Sequence, residues 1–449
     1  MDILIKDATI VNSESSEKSD VLISGGKIAD VRPGIEAKHG IKIIDATGKF
    51  ILPGAVDPHV HMQLPTPAGP SSDDFSTGSV AALHGGTTTL IDFVTPHRGQ
   101  PLTEALDLRI AEAKASLCDC YFHVSPVEWR DTTEDEIAEC VKRGIKSFKV
   151  YLAYKNSVGL NDNDFLKVLK AVAKHNAIVT VHCESGDEIE ILRNDYAKKG
   201  NTSPLYHAMS RPASLEAEAV KNAIDLAKVA DCPLYIVHVS SELSLKYIAE
   251  AKKSGQRVYA ETCPQYLLLD DSLYKGNFDE TVKYVISPPL RKKADNEALW
   301  DAIKSGLIDT VGTDHCPFNL SQKSVGVNDF RLIPNGAGGV EHRLALMYTY
   351  GVKSNRISIN RMVEVVSAAP AKNFGLYPQK GTVSEGSDAD LVIWNPVPEN
   401  TIKTESHIMK CDLDIYDGIK TSGRAECVIK DGRVVDGKSW YNGNVTVQK

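Results

Sequence analysis

Eight apolar, strand-like runs recur between Ala55 and Thr313, separated by stretches in which apolar residues repeat every three or four positions. The runs are Ala55–His61, Thr87–Phe93, Asp119–Val124, Ile145–Leu152, Ala177–Cys183, Pro233–Val239, Arg257–Glu261 and Ile308–Thr313. Helical periodicity fills Asp162–His175, Ser214–Ala230, Glu242–Lys253 and Asp295–Ser305. Apolar strands alternating with amphipathic helices predict a parallel βα architecture. Eight such units predict an α/β fold of the (β/α)8 type, a TIM-like barrel over residues 53–380.

The flanks read differently. Residues 1–52 and 381–449 carry short alternating runs, such as Val21-Leu-Ile-Ser24 and Asp390-Leu-Val-Ile-Trp394, cut by Gly and Asp turns. Neither flank is long enough for a core of its own, so the two are expected to pair into one small β-sandwich domain beside the barrel.

Charge and cysteine content narrow the function classes. A net charge of -8 over 449 residues, without a basic cluster, speaks against a nucleic-acid surface and for small-molecule work. No apolar segment approaches membrane-spanning length and the N-terminus lacks a leader pattern, so a cytoplasmic protein is expected. Nine cysteines without paired CxxC spacing make a disulfide framework unexpected. The one close pair, Cys118 and Cys120, reads as core packing.

Lys149 lies inside the run Ile145–Leu152, where an unpartnered ammonium would be costly to bury. In a barrel, residues at the C-terminal ends of strands face the active site. His59 and His61, two apart in Asp57-Pro-His-Val-His61, project to one side of their strand. His182, His238 and Asp314 close the fifth, sixth and eighth strands, and Lys149 belongs to the fourth. Imidazole and carboxylate suit zinc and similar ions, so this set predicts a centre of two divalent metal ions. An ammonium between two cations would be repelled. A carbamate on Lys149, formed with carbon dioxide, would replace it with an anionic bridge. His84, His97, His123, His175, His207 and His342 have no matching strand-end partner, and His315 should point away from Asp314. His39 and His407, in the flanks, read as solvated.

These residues, with Leu52-Pro-Gly54, Gly85-Gly-Thr-Thr-Thr89, Phe148-Lys-Val-Tyr-Leu-Ala-Tyr-Lys155, Ser287-Pro-Pro-Leu-Arg291, Gly312-Thr-Asp-His315 and Pro334-Asn-Gly336, closely resemble the hydantoinase/dihydropyrimidinase branch of the cyclic amidohydrolases. The resemblance runs from near Met1 to beyond Val434. It implies a barrel with a β-sandwich, a binuclear zinc centre, hydrolysis of cyclic amides and a homotetramer. Carried over residue by residue, it makes His59 and His61 ligands of the first ion together with Asp314, His182 and His238 ligands of the second, and Lys149 the carbamylated bridge. It further implies Asp314 as general base, Tyr154 as donor to the developing oxyanion, and Ser287 and Asn335 as backbone contacts to the imide edge of the substrate.

Departures sharpen this. Dihydroorotases, which are similar, hold a substrate carboxylate with an arginine two residues after the second histidine. Gln63 stands at that position here, favouring a ring without a carboxylate, with Met62, Leu64 and Leu152 as candidate pocket walls. Many members carry a longer basic and aromatic tail at the C-terminus that supports subunit contacts, whereas this chain ends at Val447-Gln-Lys449. The expected activity is opening of 5-substituted hydantoins or dihydropyrimidines to N-carbamoyl amino acids. Allantoinase is the second enzymatic reading, and a non-catalytic dihydropyrimidinase-like binding protein is the alternative of another class.

Overall fold

The computed structural model describes residues 2–435. Five strands come first: β1 (Ile3–Val11), β2 (Ser16–Ser24), β3 (Lys27–Arg32), β4 (Lys42–Asp45) and β5 (Phe50–Pro53). Eight more follow as the expected staves: β6 (Ala55–Val60), β7 (Thr87–Val94), β8 (Asp119–Val124), β9 (Ser147–Tyr151), β10 (Ile178–His182), β11 (Leu234–Ile236), β12 (Val258–Thr262) and β13 (Thr310–Val311). The chain then returns through β14 (Leu391–Thr401), β15 (Lys420–Lys430) and β16 (Arg433–Val435).

Strands β6 to β13 pair in parallel and in chain order. Closure comes from residues just past the last and first strands. The His61 N–H donates to the His315 carbonyl at 2.8 Å, and Val60 bridges His315 in parallel. Buried Arg343 fastens the same seam by donating to the carbonyls of Val56 at 3.0 Å and Val311 at 2.9 Å. The staves β6, β7 and β10 are buried along their whole length, as strands covered on both faces must be. Their helices are amphipathic. In Asp162–Ala173, for example, Phe165, Val168, Leu169 and Val172 face the barrel, and Asn161 caps the start through the Asp164 N–H.

The predicted strands shorten most at the sixth, where Pro233–Val239 keeps only Leu234–Ile236, and at the last. Ile308–Thr313 was expected to be extended, but β13 keeps only two residues because the chain turns out of the ladder toward Asp314, whose φ is 54°.

Both chain ends build a second sheet in the order β16-β15-β14-β5-β1-β2-β3, with β4 added to β1. Its centre joins the ends directly, β5 lying antiparallel to β14 from Pro53 opposite Leu391 to Phe50 opposite Trp394. Ile3, Ile5, Ile10, Val21, Ile51, Leu391, Ile393 and Ile429 form its core. Residues 436–449 of the expected C-terminal flank, including Val447-Gln-Lys449, lie outside the described residues. Lys380 and Lys430 tie this sheet to the barrel. Lys380 Nζ lies 2.5 Å from Asp390, 2.8 Å from Asp388 and also against Asp119, and Lys430 Nζ lies 3.0 Å from Asp119. All nine cysteines are free. Among the described residues, no helix is long and apolar enough to cross a membrane.

Candidate active site

Barrel closure brings the first and eighth strands together, and with them His59, His61 and Asp314. The Nε2 atoms of His59 and His61 lie 3.1 Å and 3.2 Å from the same oxygen, Asp314 Oδ1. Their rings stand 5.2 Å apart, so both imidazoles project from one side of β6, as alternation predicts. His182, the last residue of β10, turns Nδ1 toward His238 Nε2 at 2.9 Å. His238 follows β11 with φ 40° and its ring is 5.4 Å from that of His59. Lys149 sits mid-strand in β9, opposite Thr180, and is 1% exposed. Its Nζ lies 5.0 Å from the Phe93 ring centre and 4.9 Å from that of Tyr151. Among the described residues it has no carboxylate within ion-pair distance.

Two buried carboxylates fix the outer faces of the imidazoles. Glu261 Oε1 lies 2.7 Å from His59 Nδ1 and accepts the His238 backbone N–H at 3.2 Å, while its other oxygen accepts the Tyr235 hydroxyl at 2.8 Å. Glu184 Oε2 lies 2.8 Å from His182 Nε2 and 2.5 Å from Arg211 Nη1. These contacts place the ring protons on the outer nitrogens, so the inner nitrogens of His59 and His182 turn lone pairs inward. A lone pair facing the Asp314 carboxylate is stable only with a cation between them.

In the bare protein that demand falls on protons. Burial alone would lower the His59 pKa, but the charges of Asp314 and Glu261 outweigh it and raise it to about 9. Burial dominates at His61, lowering it to about 4, and at Lys149, lowering its amine to about 8. Burial would also raise Asp314, yet the neighbouring His59 and His61 hold it well below the carboxylate range. His61 Nδ1 is buried without a hydrogen-bond partner among the described residues. Inward lone pairs, a shared carboxylate and outer carboxylate anchors fit a divalent cation, and His59, His61 and Asp314 are close enough together to hold one.

Tyr154, with φ 59°, opens the turn after β9, and its carbonyl accepts the N–H groups of Ser157, Val158 and Gly159. The Tyr154 ring lies 5.4 Å from His182, with the Arg211 guanidinium 5.4 Å from the Tyr154 ring centre. Ser287 is buried, its Oγ 3.5 Å from His207 Nε2, which also contacts the Ile286 carbonyl at 2.8 Å. Asn335 is half-buried beside Gly336, whose N–H donates to the Val285 carbonyl at 3.1 Å. The loops bearing Ser287 and Asn335 are therefore joined to each other. The second is also joined to the end of the last stave, because His315 bridges Ala337.

Several side chains around this site were not singled out from sequence. Glu184, Glu261 and Arg211 are three of them. Asp92 and Arg109 are two more: Asp92 accepts the Met62 N–H at 2.8 Å and Arg109 donates to the Met62 carbonyl, clamping the residue after His61. Met62 itself packs into a cluster with Phe75, Ala81 and Leu83, and Leu152 belongs to the main core. His315 turns toward Asp73 at 3.2 Å. His407 is not solvated. Its Nδ1 lies 3.1 Å and His342 Nε2 lies 2.8 Å from the one oxygen Asp414 Oδ2, and His407 Nε2 lies 2.7 Å from the Cys411 carbonyl. Burial would lower the His407 pKa, but the Asp414 carboxylate and the Cys411 carbonyl raise it above its ordinary value.

The amidohydrolase family model matches residues 50–435. The chain belongs to the amidohydrolase family. A D-hydantoinase of Geobacillus stearothermophilus is 42% identical over 98% of this chain and 95% of its own length. A dihydropyrimidinase of Arabidopsis thaliana is 40% identical over 99% of this chain and 83% of its own. A crystal structure of D-hydantoinase superposes with a TM-score of 0.95 at 42% identity, covering 97% of this chain and 95% of that one. Within the amidohydrolases, the chain thus falls in the hydantoinase/dihydropyrimidinase group, whose members are hydrolases.

Proposed function

We propose that this amidohydrolase is a metal-dependent cyclic amidase of the D-hydantoinase/dihydropyrimidinase type, opening 5-substituted hydantoins or dihydropyrimidines to N-carbamoyl amino acids. The observation that carries this is the convergence of His59, His61, His182 and His238 on one barrel mouth, with outer carboxylates orienting His59 and His182. His59, His61 and Asp314 would hold one zinc ion and His182 and His238 the other. Bound there, the two ions would supply Lewis acidity, acidifying water and polarising a carbonyl.

Burial lowers the Lys149 amine to about 8, so a substantial neutral fraction is available to attack carbon dioxide. The nitrogen lone pair would form the N–C bond and one N–H proton would leave to water, giving a carbamate that would supply an anionic metal ligand from Lys149. Asp314, set against both first-strand histidines, would accept the proton of the attacking water and deliver it to the departing ring nitrogen. Tyr154 would donate its hydroxyl to the developing oxyanion, and the backbone at Ser287 and Asn335 would align the imide edge. We further propose a cytoplasmic homotetramer, divided into residues 1–52 plus 381–449 and residues 53–380.

The test is turnover of dihydrouracil, 5-substituted hydantoins, allantoin and dihydroorotate by zinc-loaded protein, with bound metal measured in the same preparation. Preferred opening of the first two supports the assignment. Preference for allantoin would replace it with allantoinase, and folded protein that takes up no metal even with bicarbonate would make it a binding protein.

A further inference from the structure

Lys323 is 1% exposed, and among the described residues no carboxylate lies within ion-pair distance of it. A lysine buried without a countercharge is destabilising unless its N–H groups are used. Here they are. Nζ donates to the Val285 carbonyl at 3.0 Å and to the Pro334 carbonyl at 3.1 Å. Val285 stands two residues before Ser287, and Pro334 stands one residue before Asn335. The Val285 carbonyl also accepts the Gly336 N–H at 3.1 Å, so the two loops share an acceptor as well as a donor.

We infer that Lys323 is a positioning residue that sets the spacing of the two backbone segments proposed to grip the imide edge of the substrate. The inference rests on the substrate contacts proposed above for Ser287 and Asn335. Local structure supports it. Lys323 ends the short helix Leu320–Lys323, which Asn319 caps, so the stem of the side chain starts from a fixed point and runs between the loops. Gly336 has φ 153°, and a Cβ there would lie 2.3 Å from the Cys316 carbonyl, so its loop is seated with no spare room. Burial lowers the Lys323 amine to about 7, and a neutral amine has two N–H donors, matching the two carbonyls it meets.

The experiment compares wild-type protein with Lys323→Met, which keeps the stem and removes both donors, and with Lys323→Gln, whose amide retains two N–H groups. Three readouts are taken: bound metal, kinetics on a 5-substituted hydantoin, and amide hydrogen exchange over 282–290 and 330–340. With wild-type turnover established, Lys323→Met is expected to keep its metal and its near-native kcat, raise KM roughly tenfold or more, and exchange faster in both segments. Lys323→Gln should lie between the two. Unchanged KM and unchanged exchange in Lys323→Met overturn the inference. If wild-type protein opens no cyclic ureide, the proposed function fails on its own, and the exchange data alone decide whether Lys323 couples the two loops. Should Lys323→Met not fold, the Lys323→Gln comparison carries the same two outcomes.

Discussion

Arg211 is the support of the site that is easiest to remove cleanly. Its guanidinium and the Glu184 carboxylate are each 1% exposed and meet at 2.5 Å. Burial would raise the Glu184 pKa, but the Arg211 charge and the His182 hydrogen bond hold it at about 2. Replacing Arg211 with methionine keeps much of the volume and leaves that carboxylate buried with His182 alone. Breaking one partner of a buried pair is destabilising by about 3–5 kcal/mol. Unfolding entropy of about 2.1 cal/mol/K per residue gives roughly 0.9 kcal/mol/K for 449 residues. Arg211→Met should therefore melt about 3–5 °C lower.

The informative assay is a double-mutant cycle by thermal melting on metal-loaded protein. Glu184→Gln removes the charge that Arg211 neutralises, so the Arg211→Met/Glu184→Gln double variant should lose much less than the sum of the two single variants. Strict additivity would refute the claim that Arg211 acts by neutralising Glu184. The pH dependence gives a second check. Glu184 has a depressed folded-state pKa, so its contribution to stability is complete above its unfolded value of 4.5 and is lost as pH falls from there toward about 2. In Arg211→Met the folded value should rise toward 4.5, so the loss of stability between pH 4.5 and about 2 should shrink.

Three other expectations follow from the same geometry. Lys149→Ala should bind fewer than two metal ions and lose nearly all turnover, without rescue by added bicarbonate; full metal content and normal rates would remove the carbamate from the proposal. Tyr154→Phe, lacking the proposed oxyanion donor, should lose about 10²–10³ in kcat with bound metal unchanged. At Asp414, burial would lower the pKa of both His342 and His407, but their hydrogen bonds to Asp414 raise them above 6.5. Their contribution to stability is then complete below pH 6.5 and is lost as pH rises through the raised values, so the melting temperature should decline above pH 6.5 and do so less steeply in Asp414→Asn.

The barrel was legible because parallel staves are buried on both faces, which makes each a continuous apolar run whose position can be read without its partners. His59, His61, Lys149, His182, His238 and Asp314 were legible for a related reason: each interrupts or closes such a run with a group that does not belong in a core. Glu184 and Glu261 carried a weaker form of the same signal, one standing two residues past His182 and the other at the end of the seventh run. Asp92, a carboxylate inside the Thr87–Phe93 run, carried that signal too, whereas Arg109 on the helix Leu102–Ala113 and Arg211 between two helices carried none, since a buried arginine looks in sequence like a solvated one. His407 misled for the same reason. One partner, Asp414, is seven residues away, but the ring shares it with His342, which is distant in sequence.

Backbone conformation was the least legible feature, and it bears directly on how the site is built. Tyr154, His238 and Asp314 have φ of 59°, 40° and 54°, a region that side chains with a Cβ enter at about 1–3 kcal/mol each. Asp and His are among the commoner non-glycine residues there, whereas Tyr is not. Each follows a stave, where regular extended backbone would carry the chain on along its strand direction. A residue with positive φ instead breaks that direction. The surrounding bonds are what hold it. Tyr154 is locked by three N–H groups on its carbonyl, His238 by its own N–H on Glu261, and the Thr313–Asp314 step by Asp57, which accepts the Thr313 N–H at 3.1 Å and its hydroxyl at 2.7 Å. Glu261 thus does two things at once, orienting the His59 imidazole and holding the strained turn at His238, while Asp57 inside β6 holds the one at Asp314, so part of the charge enclosed in an otherwise apolar barrel serves the backbone as well as the side chains.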